Sequence, residues 1–190
     1  MNTLSQVLEA NKCFVFQSKI DSYTSISKVS KVPSRSIAIL TCMDTRLVDF
    51  LEPALGIKRG EAKVIKNAGN SVTGPFSATI RNLLISIFEL GVNEVLVIGH
   101  LDCGMAHVTS SELIAKMRDR GISQDAISMV DDELKVWLGL FHHPVENVRH
   151  VVSKIRSNPL IPCDVPIHGL MFDPHSGEIE VIVNGYGQSL

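Results

Sequence analysis

Three short apolar runs, SIAILTC (36–42), AKVIKN (62–67) and EVLVIGH (94–100), alternate with stretches of helical periodicity, and this alternation constrains the fold more than any other feature of the chain. The runs are rich in β-branched residues and too short for helices, as expected of parallel strands buried on both faces. Between the second and third, PFSATIRNLLISIFELG carries Ile80, Leu83, Leu84, Ile87 and Phe88 at helical spacing, with Pro75 in the expected first turn and Gly91 as the stop. Further helices are expected near 47–55, 123–141 and 145–157. The C-terminal PIHGLMFDPHSGEIEVIV predicts a fourth parallel strand that turns at 173–177 into an antiparallel edge partner. The fold class is therefore α/β: a central sheet of about four parallel strands plus a C-terminal antiparallel edge strand, flanked by helices. No repeat or linker divides the chain. Its 190 residues, 45% of them hydrophobic, suit one domain over 1–190, with an N-terminal helical arm over about 1–30 and a core over about 35–190.

A formal net charge of −2 gives no basic surface, so neither nucleic acid nor an anionic membrane is expected as a partner. The first residues, MNTLSQVLEANKCFVF, have no basic start followed by an unbroken apolar run, which points to a cytoplasmic protein without a signal or membrane span. In that compartment Cys13, Cys42, Cys103 and Cys163 stay reduced and read as core thiols or metal ligands.

In parallel sheets of this kind ligands bind beyond the carboxyl ends of the strands, where the topology reverses. Cys42 closes the first strand in ILTCMDTRLVDF, His100 closes the third in GHLDCGM, and Cys103 follows three positions later. Two thiolates and one imidazole suit zinc, and three protein ligands leave a fourth tetrahedral position open, as catalytic rather than structural zinc requires. Each half alone is weak, since a Cys ending a strand is more often a small buried hydrophobe. Asp44 and Arg46 stand at alternate positions after Cys42, so in an extended segment Asp44 shares the side of Cys42. Without the cysteines, the two charges would read as an ordinary surface ion pair.

Cys42-Met43-Asp44-Thr45-Arg46 and His100-Leu101-Asp102-Cys103, together with KNAGN (66–70), resemble the β-class carbonic anhydrases, whose signature is C-x-D-x-R followed by H-x-x-C. The likeness is close over roughly 37–105 and looser in the outer helices. It implies that Cys42, His100 and Cys103 hold Zn2+ and that Asp44 and Arg46 form a catalytic dyad. The implied reaction is reversible hydration of carbon dioxide to bicarbonate and a proton, by hydroxide on zinc that Asp44 orients. The resemblance also implies a closed state in which Asp44 becomes a fourth ligand, and a homodimer or assembly of dimers. For the latter, the early helix carrying Leu4, Val7, Leu8, Phe14 and Val15 is apolar enough to pack on a neighbour. Gly104, Asn67, Ala68 and Gly69 are expected to border the substrate pocket, although turn chemistry explains them nearly as well. Two other readings stand beside this one: a hydrolase of carbon disulfide or carbonyl sulfide on the same scaffold, and a zinc-stabilised binding module without turnover.

The sequence also departs from the family. Ile39 stands where members with an inhibitory bicarbonate site carry Trp, and Lys66 stands where many carry Arg, losing a planar fork. Cys13 and Cys163 are expected as buried thiols and the methionines as core filling. His107, His142, His143, His150, His168 and His175 receive no catalytic role.

Overall fold

The computed structural model describes residues 2–20 and 29–187, and divides the chain into two compact units, Met1–Ser30 and Lys31–Leu190. In the first, helix α1 (Thr3–Ile20) leaves Leu4, Val7, Leu8, Phe14 and Phe16 exposed.

The second unit is built on a five-stranded sheet of β1 (Ile37–Cys42), β2 (Ala62–Asn67), β3 (Glu94–His100), β4 (Ile167–Phe172) and β5 (Ile179–Val183), in the order β2-β1-β3-β4-β5. β1 pairs in parallel with β2 and β3, β3 in parallel with β4, and β4 antiparallel with β5. The chain thus runs from β1 outward to β2 and returns on the opposite side of β1 as β3. This reversal opens a crevice at the carboxyl ends of β1 and β3.

Side chains alternate across the strands and feed two cores. Ala38, Leu40, Val95, Val97, Ile167 and Met171 pack on one side with α3 (Ala78–Leu84) and α7 (Pro144–Arg156). Ile39, Ile98 and Phe172 pack on the other with Leu47, Leu51 and Ile57. Helix α7 offers Val148, Val151, Val152 and Ile155 to the sheet, the i, i+3, i+4, i+7 stripe of an amphipathic helix. It lies close because β3 and β4 carry glycine at the contact. A Cβ on Gly99 would stand 2.6 Å from Val148 Cγ2, and one on Gly169 2.8 Å from Val148 Cγ1.

Several local expectations are corrected. β2 is an edge strand with alternating exposure rather than one buried on both faces. The helix expected from Pro75 starts at Ala78, because Ser77 is still extended and the Pro75 carbonyl is held by Asn158 Nδ2 at 2.8 Å; its last turn, Ile85–Glu89, widens to a π-helix before Gly91 at φ +67°. The 47–55 region holds the end of a 3-10 turn, Thr45–Leu47, and the short α2 (Leu51–Ala54), with Asp49 at φ +53° between them. The 123–141 region splits into α5 (Gln124–Ser128) and α6 (Asp131–Gly139), where three acidic residues at 131–133 favour a fresh helix start. Helix α4 (Ser110–Asp119) runs into MRDRG, which reads as a solvated helix face, but its start was not expected, although Thr109 and Glu112 have the spacing of a capping box and the Thr109 side chain accepts from the Glu112 N–H. Cys13 and Cys163 are exposed, not buried: one lies on α1, the other in the proline-flanked loop after α7. Met43 and Met129 are exposed as well, so core filling describes Met171 and not the methionines as a class.

Candidate metal centre

Cys42 and His100 end neighbouring parallel strands, and the tight turn after β3 returns Cys103 to the same point. The ligand atoms of Cys42, His100 and Cys103 lie within 4.8 Å of one another. The two sulfurs are 3.9 Å apart, far longer than a disulfide and close to the edge of about 3.8 Å that a tetrahedron with 2.3 Å metal–sulfur bonds requires. His100 is 1% exposed, and its Nδ1 lies 2.9 Å from the Leu101 carbonyl. That carbonyl can only accept, so Nδ1 carries the proton and the buried Nε2 is the atom left to offer a lone pair in the neutral ring. This second partner on a ligating histidine is the usual device for fixing its tautomer. The donor set therefore fits a metal ion, and its softness suits zinc.

Protonation follows the same geometry. The Cys103 thiol donates to Cys42 and lowers the Cys42 pKa to about 4, against opposition from burial; His100 and the backbone N–H groups of Gly69 and Asp44 add to the lowering. The interaction with Cys42 in turn raises Cys103, with burial adding to it. Burial works against protonated His100, but Cys42 and the Leu101 carbonyl outweigh it and the net shift is upward. Of the two thiols, Cys42 is the one the surroundings favour as thiolate.

Beside these groups Asp44 starts a 3-10 turn, Thr45–Leu47, with Oδ1 accepting the Arg46 N–H at 2.9 Å. The Arg46 side chain closes on the same carboxylate through Nε to Oδ1 at 3.0 Å and Nη2 to Oδ2 at 2.9 Å. This two-point hydrogen bond holds Asp44 at about 2, well below the usual carboxylate range. Asp44 Oδ2 stands 3.8 Å from His100 Nε2, so the ionised carboxylate faces the three ligands.

An open cleft of about 520 Å³ reaches this point, lined by Cys42, Asp44, Arg46, Ala68, Cys103 and Gly104. Behind it a cavity of about 10 Å³, roughly one water in size, lies between Gly69, Asn70, His100, Cys103, Phe141 and Asn147. A larger cleft of about 660 Å³, bordered by Val130, Trp137, Leu140 and Lys154, brings no Cys–His set together, so chemistry rather than size selects the site.

The structure sorts the residues expected around the pocket. Ala68 and Gly104 line the open cleft, and a side chain at Gly104 would meet empty space. Gly69 supplies its N–H to the Cys42 sulfur and lines the rear cavity. Asn67 lines neither: its side chain holds the following loop, accepting from the Ser71 N–H at 2.8 Å and donating to the Ser71 carbonyl and Thr79 Oγ1, both at 2.9 Å. Lys66 pairs with Glu52 at 3.1 Å.

Three contributors had escaped the sequence reading. Asn147 Nδ2 donates to the Gly69 carbonyl at 3.0 Å from the distant α7, and Phe141 packs over Gly69. Asp102 binds Arg46 from inside the GHLDCGM motif, where a carboxylate between two ligands was the available signal.

The fold and this donor set define an α/β protein with a candidate metal centre at the switch point of a mostly parallel sheet. Comparison with known proteins carries this further. The family model described as carbonic anhydrase matches residues 37–179. The solved β-carbonic anhydrase isoform I of Trichomonas vaginalis is 43% identical, with 98% of this chain and 100% of that one covered at a TM-score of 0.92. YvdA of Bacillus subtilis, provisionally called a carbonic anhydrase, is 40% identical over 193 residues, covering 100% of this chain and 96% of its own. A carbon disulfide hydrolase of Acidithiobacillus thiooxidans is 29% identical over 157 residues, covering 77% and 76%. The chain belongs to the β-class carbonic anhydrase family.

Proposed function

We propose that the chain is a zinc-dependent carbonic anhydrase that interconverts carbon dioxide and bicarbonate. The observation that carries this reading is the ionised Asp44, clamped by Arg46 and facing a Cys–His–Cys donor set at the end of an open cleft. Zinc bound by Cys42, His100 and Cys103 would acidify a coordinated water and supply hydroxide close to neutral pH. Asp44 accepts a hydrogen bond from the nucleophile and aims its lone pair at the substrate carbon, and Arg46 keeps Asp44 charged and immobile. Both Asp44 oxygens are engaged by Arg46 here, so the dyad is intact. Carbon dioxide is small and uncharged, so Ala68 and Gly104 suffice as walls.

The compartment proposed is the cytoplasm, where two unmodified thiols 3.9 Å apart stay reduced. Among the described residues no helix is long and apolar enough to cross a membrane. The assembly proposed is a dimer or a set of dimers, supported by the exposed apolar residues of α1.

The relative that hydrolyses carbon disulfide favours a second reading, the same chemistry on carbon disulfide or carbonyl sulfide. A zinc module without turnover has no use for the Asp44–Arg46 clamp. Metal analysis combined with stopped-flow assays of the three gases tests these alternatives. One zinc per chain with rapid carbon dioxide hydration is expected. Turnover of carbon disulfide alone would establish the second reading, and zinc without turnover of any gas the third.

A further inference from the structure

We propose that Asp102 is a positioning residue, which anchors Arg46 to the loop carrying His100 and Cys103 so that the dyad and the metal ligands are held as one unit. The inference rests on the dyad reading given above and extends it to a residue outside the C-x-D-x-R signature. Arg46 makes two side-chain hydrogen bonds to Asp44 and two more to residue 102, from Nη1 to Oδ2 at 3.0 Å and from Nη2 to the backbone carbonyl at 2.7 Å. The guanidinium thus joins the segment that follows β1 to the loop that follows β3. Without the second anchor, a long side chain that is one-third exposed would regain rotamer freedom.

Asp102 is built for this contact. Its backbone is left-handed, at φ +50°, a conformation that Asp and Asn tolerate better than other residues with a side chain. In that conformation its carbonyl and carboxylate meet the same guanidinium. An exposed ion pair by itself contributes little, and the Asp102 side chain is 65% exposed. The distinction here is the geometry: four bonds on one planar group, shared between the two halves of the metal site.

The test uses the full chain and four proteins: wild type, Asp102→Asn, Arg46→Ala and the double variant. Asparagine keeps the left-handed backbone and the carbonyl, and replaces the carboxylate by a neutral amide with a single acceptor oxygen. Three quantities are read: zinc per chain, kcat and KM for carbon dioxide hydration, and, in the metal-free protein, exchange of the Arg46 Nε proton by NMR, with Arg46→Ala assigning the signal. Asp102→Asn should keep its zinc, lower kcat by about tenfold with little change in KM, and speed Nε proton exchange by about tenfold, the lower end of the usual effect of a residue one shell out from a metal. In the Arg46→Ala background the same substitution should cause no further loss. Wild-type turnover and exchange in Asp102→Asn, with Arg46→Ala impaired, would overturn the proposal alone. An equal additional loss in the double variant would also overturn it, by placing the effect in the ligand loop. An Arg46→Ala variant as fast as wild type would overturn the dyad reading and this inference with it.

Discussion

Gly69→Ala should cost about 2–5 kcal/mol of stability, and the reason lies in two separate features of residue 69. Its φ is +66°, the left-handed region, where a residue with a Cβ costs about 1–2 kcal/mol. A Cβ built there would also overlap the Phe141 ring at Cε1 and stand 2.6 Å from Cδ1. That ring is 3% exposed and meets Trp137 edge-to-face, with centroids 5.5 Å apart, so it cannot simply turn away. Overpacking of this kind adds about 1–3 kcal/mol, and the two terms sum to the range given. The metal site should feel the same change, because the Gly69 N–H donates to the Cys42 sulfur and its carbonyl accepts from Asn147 Nδ2. Urea unfolding in the presence of a chelator measures the stability term free of metal linkage. A cycle with Phe141→Ala separates the two causes: the double variant should be more stable than additivity predicts by the overpacking share, about 1–3 kcal/mol. A Gly69→Ala protein within about 0.5 kcal/mol of wild type, or a strictly additive cycle, would refute the reasoning.

Three other outcomes are expected. Alanine at Cys42, His100 or Cys103 should abolish zinc retention and activity together, whereas Cys13→Ala and Cys163→Ala, at exposed positions, should leave metal content at the wild-type level by elemental analysis. Gly99→Ala, whose Cβ would press on Val148 Cγ2 at 2.6 Å and Met171 Sδ at 3.1 Å, should lose about 1–3 kcal/mol in thermal unfolding, with part of the loss recovered on adding Val148→Ala. Asp173 accepts from the His175 N–H and the Ser176 hydroxyl, both at 2.8 Å, which lowers its pKa. Its contribution is therefore present above the ordinary aspartate value of about 4 and is lost as pH falls through the lower folded value, so the Tm difference between wild type and Asp173→Asn should shrink as pH is taken from about 5 to about 3.

Apolar runs bounded by turn residues located β1, β2 and β3 to within a residue, and for β1 and β3 the reason is that burial inside a parallel sheet leaves the sequence little choice. The same pattern placed Cys42 and His100 at the ends of two strands, and the three-residue step to Cys103 completed a donor set that no other cysteine shared. Once those strands were parallel neighbours, the convergence of the ligands followed. Tertiary structure decided what depends on partners distant in the chain. β2 became the edge through the strand order, which no run of residues encodes. Asn67 went to the Ser71 loop and Gly69 to the Cys42 sulfur, although both sit in one Asn/Gly turn, because Thr79, Phe141 and Asn147 arrive from three other segments to claim them. Asp102 was visible as a charge between two ligands, but its hold on Arg46, 56 residues away, exists only when β1 and β3 lie side by side and the left-handed turn after β3 brings its carbonyl and carboxylate to one guanidinium. Local pattern fixes which residues can carry chemistry; the pairing of strands fixes which of them meet.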